Sequence, residues 1–239
     1  MQSGSLAVCL GDSVIDTYQP PLDHGFIGGN AVNTAVAIRR AGFPSAFAGF
    51  TGDDPAGQAI LQALDRQGVD TSQVRTRPGP TRRAYLRLGQ DGQPEFLHHL
   101  MSPRTPFAPD NDMLRFARSQ ALVHLNWLDN PQACLAGLAT SPRPLISLDY
   151  GEGSYAELAE RTLSSVDLAF FSLPEDRAGE APELARHYRA QGPRLVVFTL
   201  AGRGSLAFDG QIHLQPAEPA EWVDPLGAGD AFIGTFLSA

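Results

Sequence analysis

Towards the end of the chain the sequence reads Asp224-Pro225-Leu226-Gly227-Ala228-Gly229-Asp230 and runs straight into Ala231-Phe232-Ile233-Gly234-Thr235-Phe236-Leu237. Small residues that open a helix leave backbone N–H groups without intrahelical partners, pointing outward at the positive end of the helix dipole, which makes an anion site. A carboxylate in that first turn, Asp230, can take a proton from a hydroxyl while the amides of Gly227, Ala228 and Gly229 hold a phosphate under attack. Only small residues let a backbone approach phosphate so closely. Alone, the tetrapeptide reads equally well as a glycine turn with a surface acid beside the dipole.

The other end of the chain supplies the company it needs. Phe26-Ile27-Gly28-Gly29-Asn30-Ala31-Val32-Asn33-Thr34-Ala35 again joins a glycine pair to a helix. Asn30 reads as its N-cap, and Asn33 falls three residues later on the same face. Upstream, Gly11-Asp12-Ser13-Val14-Ile15-Asp16 follows the apolar run from Leu6 to Leu10 and sets two carboxylates just past an expected strand. The order Gly-Asp-x-x-x-Asp, Gly-Gly-Asn-x-x-Asn, Gly52-Asp53-Asp54-x-x-Gly57, then Gly-Ala-Gly-Asp resembles the PfkB (ribokinase-like) carbohydrate kinases from first strand to last helix. Within that family, the stretches from Gly11 to Tyr18 and from Gly28 to Asn33 look most like the fructoselysine 6-kinase branch.

The resemblance implies a role for each part. Asp230 would be the base, and the amides of Gly227, Ala228 and Gly229 the anion hole. Asp12, Asp16 and Asn33 would hold sugar hydroxyls, since carboxylate and amide together supply the acceptors and donors a polyol needs, with Gly28 and Gly29 letting the ring lie against backbone. On the nucleotide side, Thr199-Leu200-Ala201-Gly202-Arg203-Gly204-Ser205 is similar to the family's Thr-x-Gly-x-x-Gly loop. Thr199, Gly202 and Gly204 are then the expected ATP contacts, and Ala201 stands where the first glycine belongs. If that position needs a positive φ, alanine is costly there unless Gly202 shares the bend. Ser172-Leu173-Pro174-Glu175 corresponds to the family's Asn-x-x-Glu, placing Ser172 at the nucleotide and Glu175 at Mg²⁺ through water. Asp224 sits in the loop near which family members often bind a monovalent cation, so K⁺ stimulation is a further expectation, with Pro225 in place of the usual threonine.

The activity implied is transfer of the ATP γ-phosphate to a primary hydroxyl of a fructosamine of the fructoselysine type. A ribokinase or fructokinase of the same fold and a catalytically impaired sugar-binding remnant are the alternatives. The segment Leu148-Asp149-Tyr150-Gly151-Glu152 lacks the Asp-x-Asn-x-Arg pattern of the family's sugar-acid and fructose kinases, in keeping with the fructosamine branch. Family members continue past the last helix into helices that close the adenine pocket, whereas this sequence stops at Ala239.

These residues need a frame, and the rest of the sequence describes one. Short apolar runs at Leu6–Leu10, Ala46–Phe50, Ala121–Leu125, Leu145–Asp149, Asp167–Phe171 and Arg194–Leu200 alternate with expected helices at 30–41, 55–67, 110–118, 130–139, 154–164 and 180–191. The alternation predicts a single α/β domain over 1–239, a doubly wound, mostly parallel sheet with helices on both faces and a ligand crevice beyond the carboxyl ends of its strands. Asp12 and Asp149 end strands in that frame. Thr81 to Leu100 breaks the rhythm and reads as a hairpin turning at Asp91-Gly92. With the loop around Asp16, the resemblance makes it a small β lid (about 12–27 and 81–100) through which family members often dimerise. His98 and His99 alternate across its strand and make a poor metal pair.

Composition bounds the partners. The 239 residues suffice for a buried parallel-sheet core, and a formal net charge of −8 argues against nucleic acid, whose phosphate backbone asks for a basic footprint. No apolar stretch approaches a membrane-spanning length, and Met1-Gln2-Ser3-Gly4-Ser5 lacks the basic start and apolar run of a secretory signal, which points to the cytoplasm. Cys9 and Cys134 are far apart and lack a second pair for zinc, and Cys9 falls in a strand pattern suited to the core.

Overall fold

A computed structural model describes residues 6–20, 24–89, 94–100, 107–141, 143–152, 156–219 and 224–239. In chain order the elements are β1 (Ala7–Asp12), β2 (Val14–Tyr18), β3 (His24–Gly28), α1 (Asn30–Arg40), β4 (Ser45–Gly52), α2 (Pro55–Arg66), β5 (Asp70–Arg77), β6 (Arg82–Leu88) and β7 (Pro94–Leu100). There follow α3 (Asn111–Arg118), β8 (Leu122–Asn126), α4 (Pro131–Leu138), β9 (Leu145–Glu152), α5 (Ala156–Thr162), β10 (Leu168–Ser172), α6 (Ala181–Arg189), β11 (Leu195–Thr199), β12 (Ser205–Phe208), β13 (Ile212–Gln215) and α7 (Ala228–Phe236).

Nine strands form one sheet in the order β13-β12-β11-β10-β9-β8-β1-β4-β5. The pairs from β11 to β5 are parallel, and β12 and β13 add an antiparallel edge. The β-branched and aromatic runs bury both faces. Along β1, Val8 and Leu10 face one apolar core while Ala7 and Cys9 face the other, beneath Ala31, Ala35 and Ile38 of α1 and Ile233 of α7. Parallel strands all end on one edge, so Asp12, Asn126, Ser172 and Thr199, the last residues of β1, β8, β10 and β11, share the crevice side. β9 runs past Asp149 to Glu152 rather than ending there.

Several strands depart from the pattern read in the sequence, β3 and β12 among them. β5 is a sheet-edge strand whose Asp70-Thr71-Ser72-Gln73 start is polar, so it carries no apolar run to mark it. β13 is exposed along its length for the same reason. Residues around Asp16 are a strand: β2 pairs with β3 and, in parallel, with β6, which pairs with β7, giving a second sheet in the order β3-β2-β6-β7. The Asp91-Gly92 turn lies outside the described residues.

The small sheet is tied down from two sides. Gly52-Asp53-Asp54 staples its root, for Asp54 caps α2 through the Gly57 N–H (2.9 Å) and also accepts from the Thr81 hydroxyl (2.6 Å), while Asp53 accepts from the Gly79 N–H (2.9 Å). Its inner face, Val14, Tyr18, Ala84 and Leu86, packs on Leu226 in the loop before α7, where the Tyr18 hydroxyl donates to Asp224 (2.9 Å).

α7 lies close against α1 through Gly234. A Cβ at that position would stand 2.5 Å from the Ala37 Cβ and 2.8 Å from the Thr34 carbonyl oxygen. Overpacking of this kind costs about 1–3 kcal/mol, so Gly234→Ala lowers unfolding stability by that amount in urea titrations. An unchanged midpoint would show that the two helices do not meet there.

Candidate active site

α7 opens at Gly227, which adopts φ 80°, a conformation glycine takes without penalty. That turn delivers Asp230 into the first helical turn, only 7% exposed. Asn33 donates to its Oδ2 at 2.9 Å and Asn30 to its Oδ1 at 3.2 Å, both from α1. Asn30 is therefore no N-cap. It is the first residue of α1, after Gly29 at φ 104°, and its amide is turned to Asp230. Burial pushes the Asp230 carboxyl up to about 7; the Asn33 and Asn30 hydrogen bonds pull it down, and the Asp149 and Asp16 charges push it up.

Asp12, Asp16, Asp149 and Asp230 line one cavity of about 290 Å³ together with Gly29, Asn33, Gly227 and Gly229. Burial lifts Asp16 to about 6, with Arg82 opposing, and lifts Asp149 to about 6. Asp12 lies at the floor, where its N–H donates to Asp129 Oδ2 (3.1 Å), the same oxygen that Asn126 Nδ2 holds at 2.7 Å. The sugar-side residues read from the sequence thus converge, with one change of role. The glycine pair makes room for acids first: a Cβ on Gly28 would strike the Asp16 carboxylate, and one on Gly29 would stand 2.9 Å from the Asp12 carbonyl oxygen. Gly29 borders the cavity; Gly28 is absent from its lining.

The amides read in the sequence as an anion hole are also more differentiated than expected. The Ala228 N–H closes a turn onto the Pro225 carbonyl (3.0 Å), whereas a Cβ on Gly229 would meet nothing within 4 Å, so the helix start is open there. Asp224 has structural partners in both oxygens, Oδ2 from Tyr18 and Oδ1 from the Leu226 N–H (2.9 Å).

The nucleotide-side candidates gather at the tips of β10 and β11. Ser172 and Thr199 hydroxyls lie 2.9 Å apart, and Glu175, in a 3-10 turn at Glu175–Glu180, faces Arg203 at 3.7 Å and Gly202. The bend falls on Ala201 itself, at φ 50°, and not on Gly202. Gly204 is fixed by the turn, at φ 98° and against the Gln215 carbonyl of β13.

Several cavity residues carry no motif. Arg82 comes from β6, Trp127 and Asp129 from the β8–α4 connection, and they meet only in the fold, with Asn126 at the end of β8 holding Asp129. His99 borders the cavity while His98 stacks on Tyr85 on the other face of β7, as strand alternation requires. Among the described residues no three His, Cys, Asp or Glu side chains form a metal cage, and no helix is long and apolar enough to cross a membrane.

Comparison with known proteins bears on the family and the fold. The sequence model of the pfkB family carbohydrate kinases matches residues 8–239. The chain is 30% identical to the fructosamine kinase FrlD of Bacillus subtilis (strain 168), over 97% of this chain and 82% of that protein. It is 31% identical to the fructoselysine 6-kinase of Escherichia coli (strain K12), over 95% of this chain and 86% of that one. Among solved structures, Arabidopsis thaliana ribokinase complexed with ribose and ATP superposes with a TM-score of 0.76 at 21% identity, covering 98% of this chain and 85% of that one.

Alanine in the left-handed region at 201 is a strain that glycine relieves. Ala201→Gly raises unfolding stability by about 1 kcal/mol, offset in part by greater freedom of the unfolded chain. A destabilised Ala201→Gly protein would mean that the loop does not take this bend.

Proposed function

The chain belongs to the pfkB family of carbohydrate kinases, and from that premise we propose that this ATP-dependent sugar kinase phosphorylates a primary hydroxyl of a fructosamine. The observation that carries the finer reading is the grouping of Asp12, Asp16, Asp149 and Asp230 around one small cavity. Four carboxylates so close keep their charge best beside a cation, and a fructosamine differs from a plain ketose by a secondary amine that is protonated at neutral pH. The names and identities of the two bacterial relatives lend the reading further support.

In this mechanism Asp12, Asp16 and Asn33 orient the sugar, and the small sheet closes over it as a lid. Asp230 accepts the proton of the attacking hydroxyl, the new O–P bond forms at the γ-phosphorus, and the bond to the β-phosphate oxygen breaks to release ADP. Charge on the transferring phosphoryl group is met by the N–H groups of Gly227 and Gly229 at the start of α7. A carboxyl lifted to about 7 is a better proton acceptor than an ordinary aspartate, which suits it to this step.

Ser172, Thr199, Gly202 and Gly204 form the proposed nucleotide edge. Glu175, 61% exposed, is free enough in position to hold a hydrated Mg²⁺, and that ion, arriving with ATP, would neutralise phosphate charge. With its oxygens turned to Tyr18 and Leu226, Asp224 acts in this reading as the tether of lid to anion hole rather than as a cation ligand.

A coupled ADP-release assay across fructoselysine, fructose, ribose and a nucleoside tests the acceptor. Fructoselysine gives the highest kcat/KM, and activity vanishes on chelation of Mg²⁺. Preference for free fructose or ribose would assign the chain to another branch; no turnover with any acceptor would favour a sugar-binding remnant.

A further inference from the structure

Arg82 is the cavity residue that the phosphoryl-transfer chemistry leaves without a task. It is the first residue of β6, opposite Val14 and on the same inner face as Ala84, the partner of Asp16 across the strand pair. Its side chain is only 9% exposed, yet it borders the cavity. The one ion pair it makes among the described residues, Nη1 to Asp129 Oδ1, spans 3.7 Å, too long for a hydrogen bond. The other Asp129 oxygen is already taken by the Asp12 N–H and Asn126. Arg82 Nε is buried and has no hydrogen-bond partner among the described residues.

A buried guanidinium with open donors is costly unless something fills them. Water-like hydroxyls can do so weakly, but the planar fork of donors matches a carboxylate best, through two parallel charge-assisted bonds. The setting agrees. His99, a second N–H carrier, borders the cavity from β7, its ring stacked on Phe96 with centroids 5.5 Å apart, whereas Asp12, Asp149 and Asp230 come from the large sheet and α7. The wall that the small sheet gives the cavity thus carries Arg82 and His99 beside Asp16, and Arg82 is its cation, since burial and the Arg82 charge hold the His99 pKa down.

We propose that Arg82 is a specificity-determining residue that binds a carboxylate carried on the acceptor's amine substituent. This rests on the fructosamine reading above and narrows it. Sugar and ammonium lie against the acids, and the carboxylate reaches the wall. The competing role, in which Arg82 only balances the charge of Asp16 and Asp129, predicts no dependence on the carboxylate.

Two acceptors of nearly equal shape separate these roles: N-(1-deoxyfructosyl)glycine and N-(1-deoxyfructosyl)isobutylamine, which share the sugar and the basic amine and differ in carboxylate against isopropyl. The parent protein favours the glycine adduct in kcat/KM by about tenfold or more, the worth of a charge-assisted pair. Arg82→Gln brings the ratio to within about threefold by lowering turnover of the glycine adduct more than that of the isobutylamine adduct, and Arg82→Lys retains part of the preference. Parent activity on both adducts within about threefold would overturn the assignment while leaving the fructosamine reading intact. So would an Arg82→Gln protein that loses both equally. Phosphorylation of fructose with neither adduct accepted would overturn the underlying reading and this one with it. The parent's own ratio decides the matter if the glutamine variant does not fold.

Discussion

A carboxylate held almost out of water at the start of α7, between two amides of α1, is the constraint on which the rest of the structure depends. Asp230 can occupy that place only because Gly227 turns the chain with a positive φ, Gly234 lets α7 lie against α1, and Asn30 and Asn33 lie on the α1 face that meets it. The cost of burying the acid is not fully recovered by those hydrogen bonds, and the residual cost appears as a carboxyl lifted towards neutrality. What would be a defect in a core is useful beside a hydroxyl that must lose a proton.

The small sheet answers the same constraint from above. Its inner face rests on Leu226 and its Tyr18 hydroxyl is tied to Asp224, so the strand that carries Asp16 and the loop that carries Gly227 move as neighbours. The Asp53-Asp54 pair anchors the other end of this sheet, Asp53 at Gly79 and Asp54 at Thr81, one residue before Arg82. Positions that look like substrate contacts in the sequence are here partly scaffolding: Gly28 admits Asp16, and Gly204 admits Gln215.

The parts most legible in the sequence were those where the backbone itself is constrained. Gly227, Gly29 and the strand-ending Asp12 are short-range facts, written in adjacent residues, and the six apolar runs of the parallel sheet are likewise local. β5 and β13 were not marked because exposed or polar faces leave no buried apolar run, and β2 because Asp16 and Thr17 break its short run of Val14 and Ile15. Asn30 misled because an asparagine before a helix caps by default, and only the tertiary fold supplies Asp230 as a better partner. Arg82 and Asp129 belong to no motif, since their pairing depends on two sheets coming together, a long-range event that spacing within either segment cannot encode. At Ala201 the family pattern located the strained position, and the fold put the strain on the alanine itself.

The central claim is that Asp230 is the base, and the pH profile of phosphoryl transfer by the parent and by Asp230→Asn tests it most directly. Asparagine keeps the shape and removes the proton acceptor, so sugar and ATP binding by calorimetry stay near normal while kcat falls by about a hundredfold or more. Because burial raises the Asp230 pKa and the base acts deprotonated, the parent's kcat/KM is lost as pH falls through about 7, and that acid limb is missing from the variant. A folded Asp230→Asn protein that binds both ligands, turns over within a few-fold of the parent and keeps the same acid limb would contradict the account.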